Sequence, residues 1–244
     1  MTNIVILNSE THRKLRVNAA PSLELGDNQR FVPVVISEFP SLALCYPVLF
    51  SKDAETGQFY CGAMLGFDAG ENLFIDAQGD KSLYRPLNLQ RAPFYTAGDE
   101  LGIDLESPRV GAAGEQALFG DSGEPSPYLQ SIMAVMRELK PGLERTKVFI
   151  ATLMELKLIE PVTIKSQFDD GSQREASGLY TVNREALAAL NDAAVLDLFR
   201  RGYLQLIYLQ RTSLSHISTL ARKKNRGFLP QEPRRAAPAS ANLE

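Results

Sequence analysis

The 244-residue chain carries 26 Lys and Arg against 29 Asp and Glu, and 44% of it is hydrophobic, enough for a core of ordinary size. No stretch nears the roughly 18 uninterrupted apolar residues of a membrane-spanning helix, and the opening residues lack the pattern of a signal peptide, so a cytoplasmic protein is expected. Basic residues are concentrated after Ala221; the remaining body is acidic, which argues against non-specific attraction to nucleic acid.

Along the chain, "RFVPVVISEFPSLALCYPVLFSKD" is punctuated by Pro33, Pro40 and Pro47, which forbid one long helix and leave extended segments with a helical turn near Glu38 to Ala43. The next run reads as a hairpin: an apolar strand ending at Phe50, a polar connection from Lys52 to Gln58, and a second strand from Phe59 to Phe67. "NLFID" is a third strand candidate. Residues 99–127, rich in Gly, Asp, Glu and Ser, read as loop.

Ser126 is a candidate N-cap for a helix placing Leu129, Ile132, Met133, Met136 and Leu139 at helical spacing, with Pro141-Gly142 as its expected end. A second helix follows, with Val148, Ile150, Leu153, Met154 and Leu158 as its apolar set. "EPVTIKSQF" and "LYTVN" predict two strands joined across a polar turn, and residues 183–224 predict helices broken near Asn191 and Gly202. The fold class is α+β, a strand-rich and loop-rich N-terminal half packed with a helical C-terminal half. One domain over residues 1–221 is expected, followed by a disordered basic tail over 222–244 that is rich in Pro and Ala.

The familiar chemistries find little equipment. Cys45 and Cys61 are the only cysteines; they lack the spacing of a zinc ribbon or redox pair and read as core thiols. His12 and His216 lie near opposite ends of the body, His216 among helical apolar neighbours, so no metal site is predicted. There is no GxSxG elbow, no GxxxxGK[ST] and no GxGxxG, and no cofactor is expected. Clustered carboxylates remain, and Asp104, Glu106, Asp121 and Glu124 are the candidates for an acid/base pair. The chain has no Trp to stack a sugar ring. "DAGENLFIDAQGD" lacks the alternation of a calcium loop.

In order, "RFVPVVISEFPSLALCYPVLF", "GAMLGFDAGENLFID", "YRPLNLQRAPF", "GEQALFGDSGEPSPYL" and "GLYTVN…LAALND" resemble the SapC family of bacterial proteins, the soluble family and not the transporter permease of the same name. The resemblance implies an accessory protein of surface-layer or outer-membrane uptake systems, with no established reaction. It departs from the family's G-x-W at Gly79-Asp80-Lys81.

Within the matched segments, Asn72 is expected in a left-handed turn after Gly70, and Glu71 is expected to accept backbone N–H bonds. Arg85 and Arg91 each leave a backbone stiffened by proline, to staple the loop to a carboxylate or to offer a fork to a ligand. The ligand-binding candidates are therefore Glu71, Asn72, Asp76, Tyr84, Arg85, Arg91, Phe94, Asp104, Glu106 and Asp121. The expected ligand is small and polar, a peptide or saccharide. A protein partner in a cell-envelope system is also expected, and a homodimer through helices in 129–158 and 187–220 is an alternative.

Overall fold

The computed structural model describes residues 3–75, 83–98 and 100–228. Ten strands and seven α-helices lie among them, with short non-α helical turns at Leu23–Asp27 and Ile36–Glu38. In chain order they are β1 (Ile4–Ile6), β2 (Arg16–Val17), β3 (Phe31–Val34), α1 (Phe39–Leu42), β4 (Val48–Lys52), β5 (Phe59–Met64), α2 (Leu87–Gln90), β6 (Phe94–Ala97), β7 (Glu100–Asp104) and β8 (Gln116–Ala117). There follow α3 (Pro127–Glu155), β9 (Ile159–Gln167), β10 (Gln173–Val182), α4 (Arg184–Ala188), α5 (Asp192–Arg200), α6 (Tyr203–Ser213) and α7 (His216–Phe228). The class is α+β.

The larger sheet has the order β3-β5-β4-β10-β9 with every pair antiparallel. Its strands alternate between two buried faces, as a period of two requires. Val48, Phe50, Cys61 and Ala63 face a core completed by Phe149, Ile150 and Leu153 of α3, Leu198 of α5 and Ile207 of α6. Leu49, Met64 and Leu179 face a second core closed by Leu220 of α7. Phe149 anchors the first, its ring 5.0 Å from Tyr203 and 6.2 Å from Phe39. β4 and β10 pair over only two positions, and α6 supplies the bonds that β4 would otherwise lack. Gln210 donates Nε2 to the Val48 carbonyl at 2.8 Å, and Ser213 Oγ accepts the Val48 amide at 2.9 Å. Both side chains are fully buried, where an unmade bond is costly.

The expected hairpin over β4 and β5, the helical turn at α1, the β9–β10 pair and the breaks at Asn191 and Gly202 are present. Asn191 caps α5 through Ala194 N, and Gly202 sits at φ 74°. Four expectations are corrected. Residues 94–104 are a hairpin, β6–β7, extended by β1 into a three-stranded sheet; β7 draws its outer partner from the first residues of the chain. "NLFID" forms no strand among its described residues, 72–75, because the Asn72 side chain takes the Phe74 amide and turns the backbone.

Nor does α3 end at Pro141: it runs 29 residues. Pro141 removes one intrahelical donor, yet the next turn is tied down on the core side, where Thr146 Oγ1 accepts the Ile36 amide at 3.0 Å and Gly142 lies against Val35. The helix stops instead at Lys157, which takes φ 54° while Leu158 N donates to the Leu153 carbonyl, a Schellman closure. Lastly, residues 222–228, expected to be disordered, continue α7. Lys224 holds that turn by pairing with Asp68 at 2.8 Å and with Glu71.

Candidate functional site

The segment after β2 wraps two arginines around one carboxylate. Asp27, 1% exposed, accepts both contacts of Arg85 Nη2 at 3.0 Å, the Ser22 amide at 3.0 Å, and an ion pair from Arg109 Nη2 at 2.7 Å that is out of line for a hydrogen bond. The same segment turns its carbonyls inward: Ala19 accepts Arg85 Nη1, while Asn18 and Ala20 accept Arg109 Nη1, each at 3.0 Å. Removing Asp27 would strand the buried Arg109 charge and the partly buried Arg85 one, a loss of about 3–5 kcal/mol in comparable sites. Burial pulls the Arg85 pKa down, Asp27 pushing back and Arg109 adding to the fall.

Beside this centre lies a cavity of about 270 Å3 lined by Pro21, Tyr46, Leu65, Asn72, Phe74, Ile75, Leu83, Arg85, Pro86 and Leu89. Its volume is near the lower end of ligand sites, roughly 300–1,000 Å3. The wall is apolar apart from Asn72, Arg85 and the Tyr46 hydroxyl, and all three already have partners within the protein. Asn72 donates Nδ2 to the Asp27 carbonyl and accepts the Phe74 amide; Tyr46 donates to the Tyr84 carbonyl.

The structure brings Arg85 and Asn72 together at this cavity and places the other described candidates elsewhere. Asn72 is not left-handed; Gly70 takes the positive φ of 77°. Glu71 accepts the Phe67 and Asp68 amides as expected and also holds Lys224, on the side of the loop occupied by α7. Tyr84 donates to buried Glu38 at 3.2 Å. Arg91 is spent on Asn88 Oδ1 at 2.8 Å and the Phe94 carbonyl at 2.7 Å, with its guanidinium over Tyr95, and lines a separate groove against α3. Phe94 is a fully buried core residue. Asp104 caps a turn through the Asn3 and Glu106 amides; Glu106 and Asp121 are exposed. Asp76 and the Gly79-Asp80-Lys81 departure lie outside the described residues.

None of Asp104, Glu106, Asp121 and Glu124 lines the cavity. Among the described residues no group of three or more His, Cys, Asp and Glu is arranged to hold a metal ion, and no helix is long and apolar enough to cross a membrane. His216 is a core-edge residue against the Ala43 carbonyl, 2.9 Å away. Burial raises the Cys61 thiol well above its ordinary pKa, which disfavours the reactive thiolate.

Sequence reasoning missed Asp27, Arg109 and Tyr128. Arg109 follows Pro108, so the argument from proline-stiffened backbone that singled out Arg85 applied to it equally. Asp27 gave no local signal.

A comparison with family models matches SapC over residues 7–220. The chain belongs to the SapC family. The matched span contains the whole Asp27–Arg85–Arg109 centre and the described cavity lining, and stops before Lys224. No curated protein and no solved structure matches this SapC chain.

Proposed function

We propose that this SapC chain is a non-catalytic, cytoplasmic binding or accessory protein whose ligand enters the cavity beside Arg85, and that it serves a cell-envelope or outer-membrane uptake system as the family resemblance implies. The observation that carries this reading is a fixed guanidinium on an otherwise apolar wall: Arg85 is posed by Ala19 and Asp27 before any ligand arrives, the pre-organisation that reduces the cost of binding. Of the two expected ligand classes the wall favours a peptide with apolar side chains, because a saccharide needs many polar partners and Asn72 and Tyr46 are already engaged.

Calorimetry with a short apolar peptide and with a disaccharide, on wild type and on Leu83→Trp, tests the reading. The peptide is expected to bind wild type, and the indole, which fills the cavity, is expected to abolish the heat while far-UV dichroism stays unchanged. Equal binding by both proteins would remove the ligand from this cavity.

A homodimer is a second reading, favoured by Phe199, Tyr208 and Leu196, exposed by 68%, 56% and 46% on the C-terminal helices. Mass in solution separates it from a monomeric binder.

A further inference from the structure

We infer that the cavity takes a molecule with an apolar body and a single carboxylate, the carboxylate facing Arg85 and the body lying against Tyr46, Leu65, Phe74 and Leu89. This rests on the preceding reading that the cavity is the binding site.

Charge is the first ground. Among the described residues, two guanidiniums share one carboxylate, and both Asp27 oxygens are already occupied by Arg85, Arg109 and the Ser22 amide. The centre therefore holds an excess positive charge in a region where solvent screening is weak. An isolated buried charge is costly, and an arriving anion removes that cost where a neutral or cationic ligand cannot.

Unmet hydrogen-bonding capacity is the second. Arg85 Nε is buried without a hydrogen-bond partner, as are Arg109 Nε and the Tyr128 hydroxyl of the same charged centre, neither of which lines the cavity. The Arg109 side chain is only 1% exposed, and such atoms are rarely left unsatisfied in native proteins. Tyr128, in the first turn of α3, feels the charges of both arginines. The third ground is the wall itself. Of the three polar groups on the described wall, Arg85 alone carries a charge, and its side chain is 23% exposed.

A carboxylate on an apolar body has two sources, a medium-chain fatty acid or the free C-terminus of an apolar peptide. Calorimetry on the full chain compares octanoate with octan-1-ol, and N-acetyl-Leu-Leu as free acid with its C-terminal amide. Whichever acid binds names the source. Each bound acid is expected to exceed its neutral counterpart by about tenfold or more, near the worth of one charge-assisted hydrogen bond. Arg85→Lys is expected to narrow that ratio, and Leu83→Trp to abolish all binding. Should Arg85→Lys fail to fold, the acid-to-neutral ratio in wild type decides alone. Equal affinity of acid and neutral probes overturns the carboxylate and leaves the cavity reading intact, the result expected if water alone meets the unpaired donors. Binding that survives Leu83→Trp, or no binding by any probe, overturns both.

Discussion

Glu38 illustrates how a single buried residue ties several elements together. Its carboxylate, 1% exposed, accepts the Leu87 amide at 2.8 Å, the Val35 amide at 2.9 Å and the Tyr84 hydroxyl at 3.2 Å, tying β3, α1 and α2 together. Burial nevertheless raises its pKa above the ordinary 4.5, the bonds from Leu87, Val35 and Tyr84 only partly offsetting the desolvation. The folded value thus exceeds the unfolded one. Stabilisation linked to this group is complete below the unfolded value and is lost as pH rises through the folded value. Denaturant titrations of wild type and Glu38→Gln between about pH 4 and pH 7 are expected to show the wild-type advantage shrinking as pH rises; a flat difference would refute it. The same residue shows the limit of local reading. The proline-punctuated segment predicts a helical turn near Glu38, but not a carboxylate with partners 46 and 49 positions away.

Among the elements, α7 differs most from expectation. Composition alone marks residues 222–228 as a solvated tail, yet Lys224 is only 13% exposed between Asp68 and Glu71, and Lys223 Nζ lies 5.0 Å from the centre of the Phe74 ring, itself part of the cavity wall. Lys224 and Arg174 hold the Asp68 carboxyl below its ordinary range. A chain ending at residue 221 is therefore expected to be less stable than one ending at 228 by about 1–2 kcal/mol, since ion pairs near the surface, like the two Lys224 makes, contribute up to roughly 1 kcal/mol each. That is roughly 2–4 °C of melting temperature per kcal/mol at this size. Added salt should narrow the gap. Equal melting temperatures would show that α7 ends its structural role at Leu220. The elements legible in the sequence, β4–β5, β9–β10 and the capped α5, carry their own period and punctuation. The illegible ones do not: β7 needs β1 from about a hundred positions away, with Ile4 opposite Asp104, and Pro141 reads as a stop until the core contacts of Gly142 and Thr146 are known.

For the molecule as a whole, α3 is the element that joins the parts. Its first half supplies Leu129 and Ile132 to the core under the three-stranded sheet, and its second half supplies Phe149, Ile150 and Leu153 to the core under the larger one. Melting one sheet would expose half of the helix, so the expectation of a single domain becomes a measurable one. Far-UV dichroism and tyrosine fluorescence should report one coincident unfolding transition. Two resolved transitions would instead make the three-stranded sheet an independent unit.

The sequence by itself determined the α+β class, most helices and long strands, the family, and Arg85 with Asn72 as residues of interest, because each rests on local periodicity, capping or motif order. Only the tertiary structure decided that Asp27 and Arg109, 58 and 24 positions from Arg85, complete a buried charged centre beside an apolar cavity, and that Arg91, Phe94 and Asp104 lie away from that cavity. Ion pairs made by chain closure have no fixed spacing, and a side chain's desolvation depends on everything packed around it.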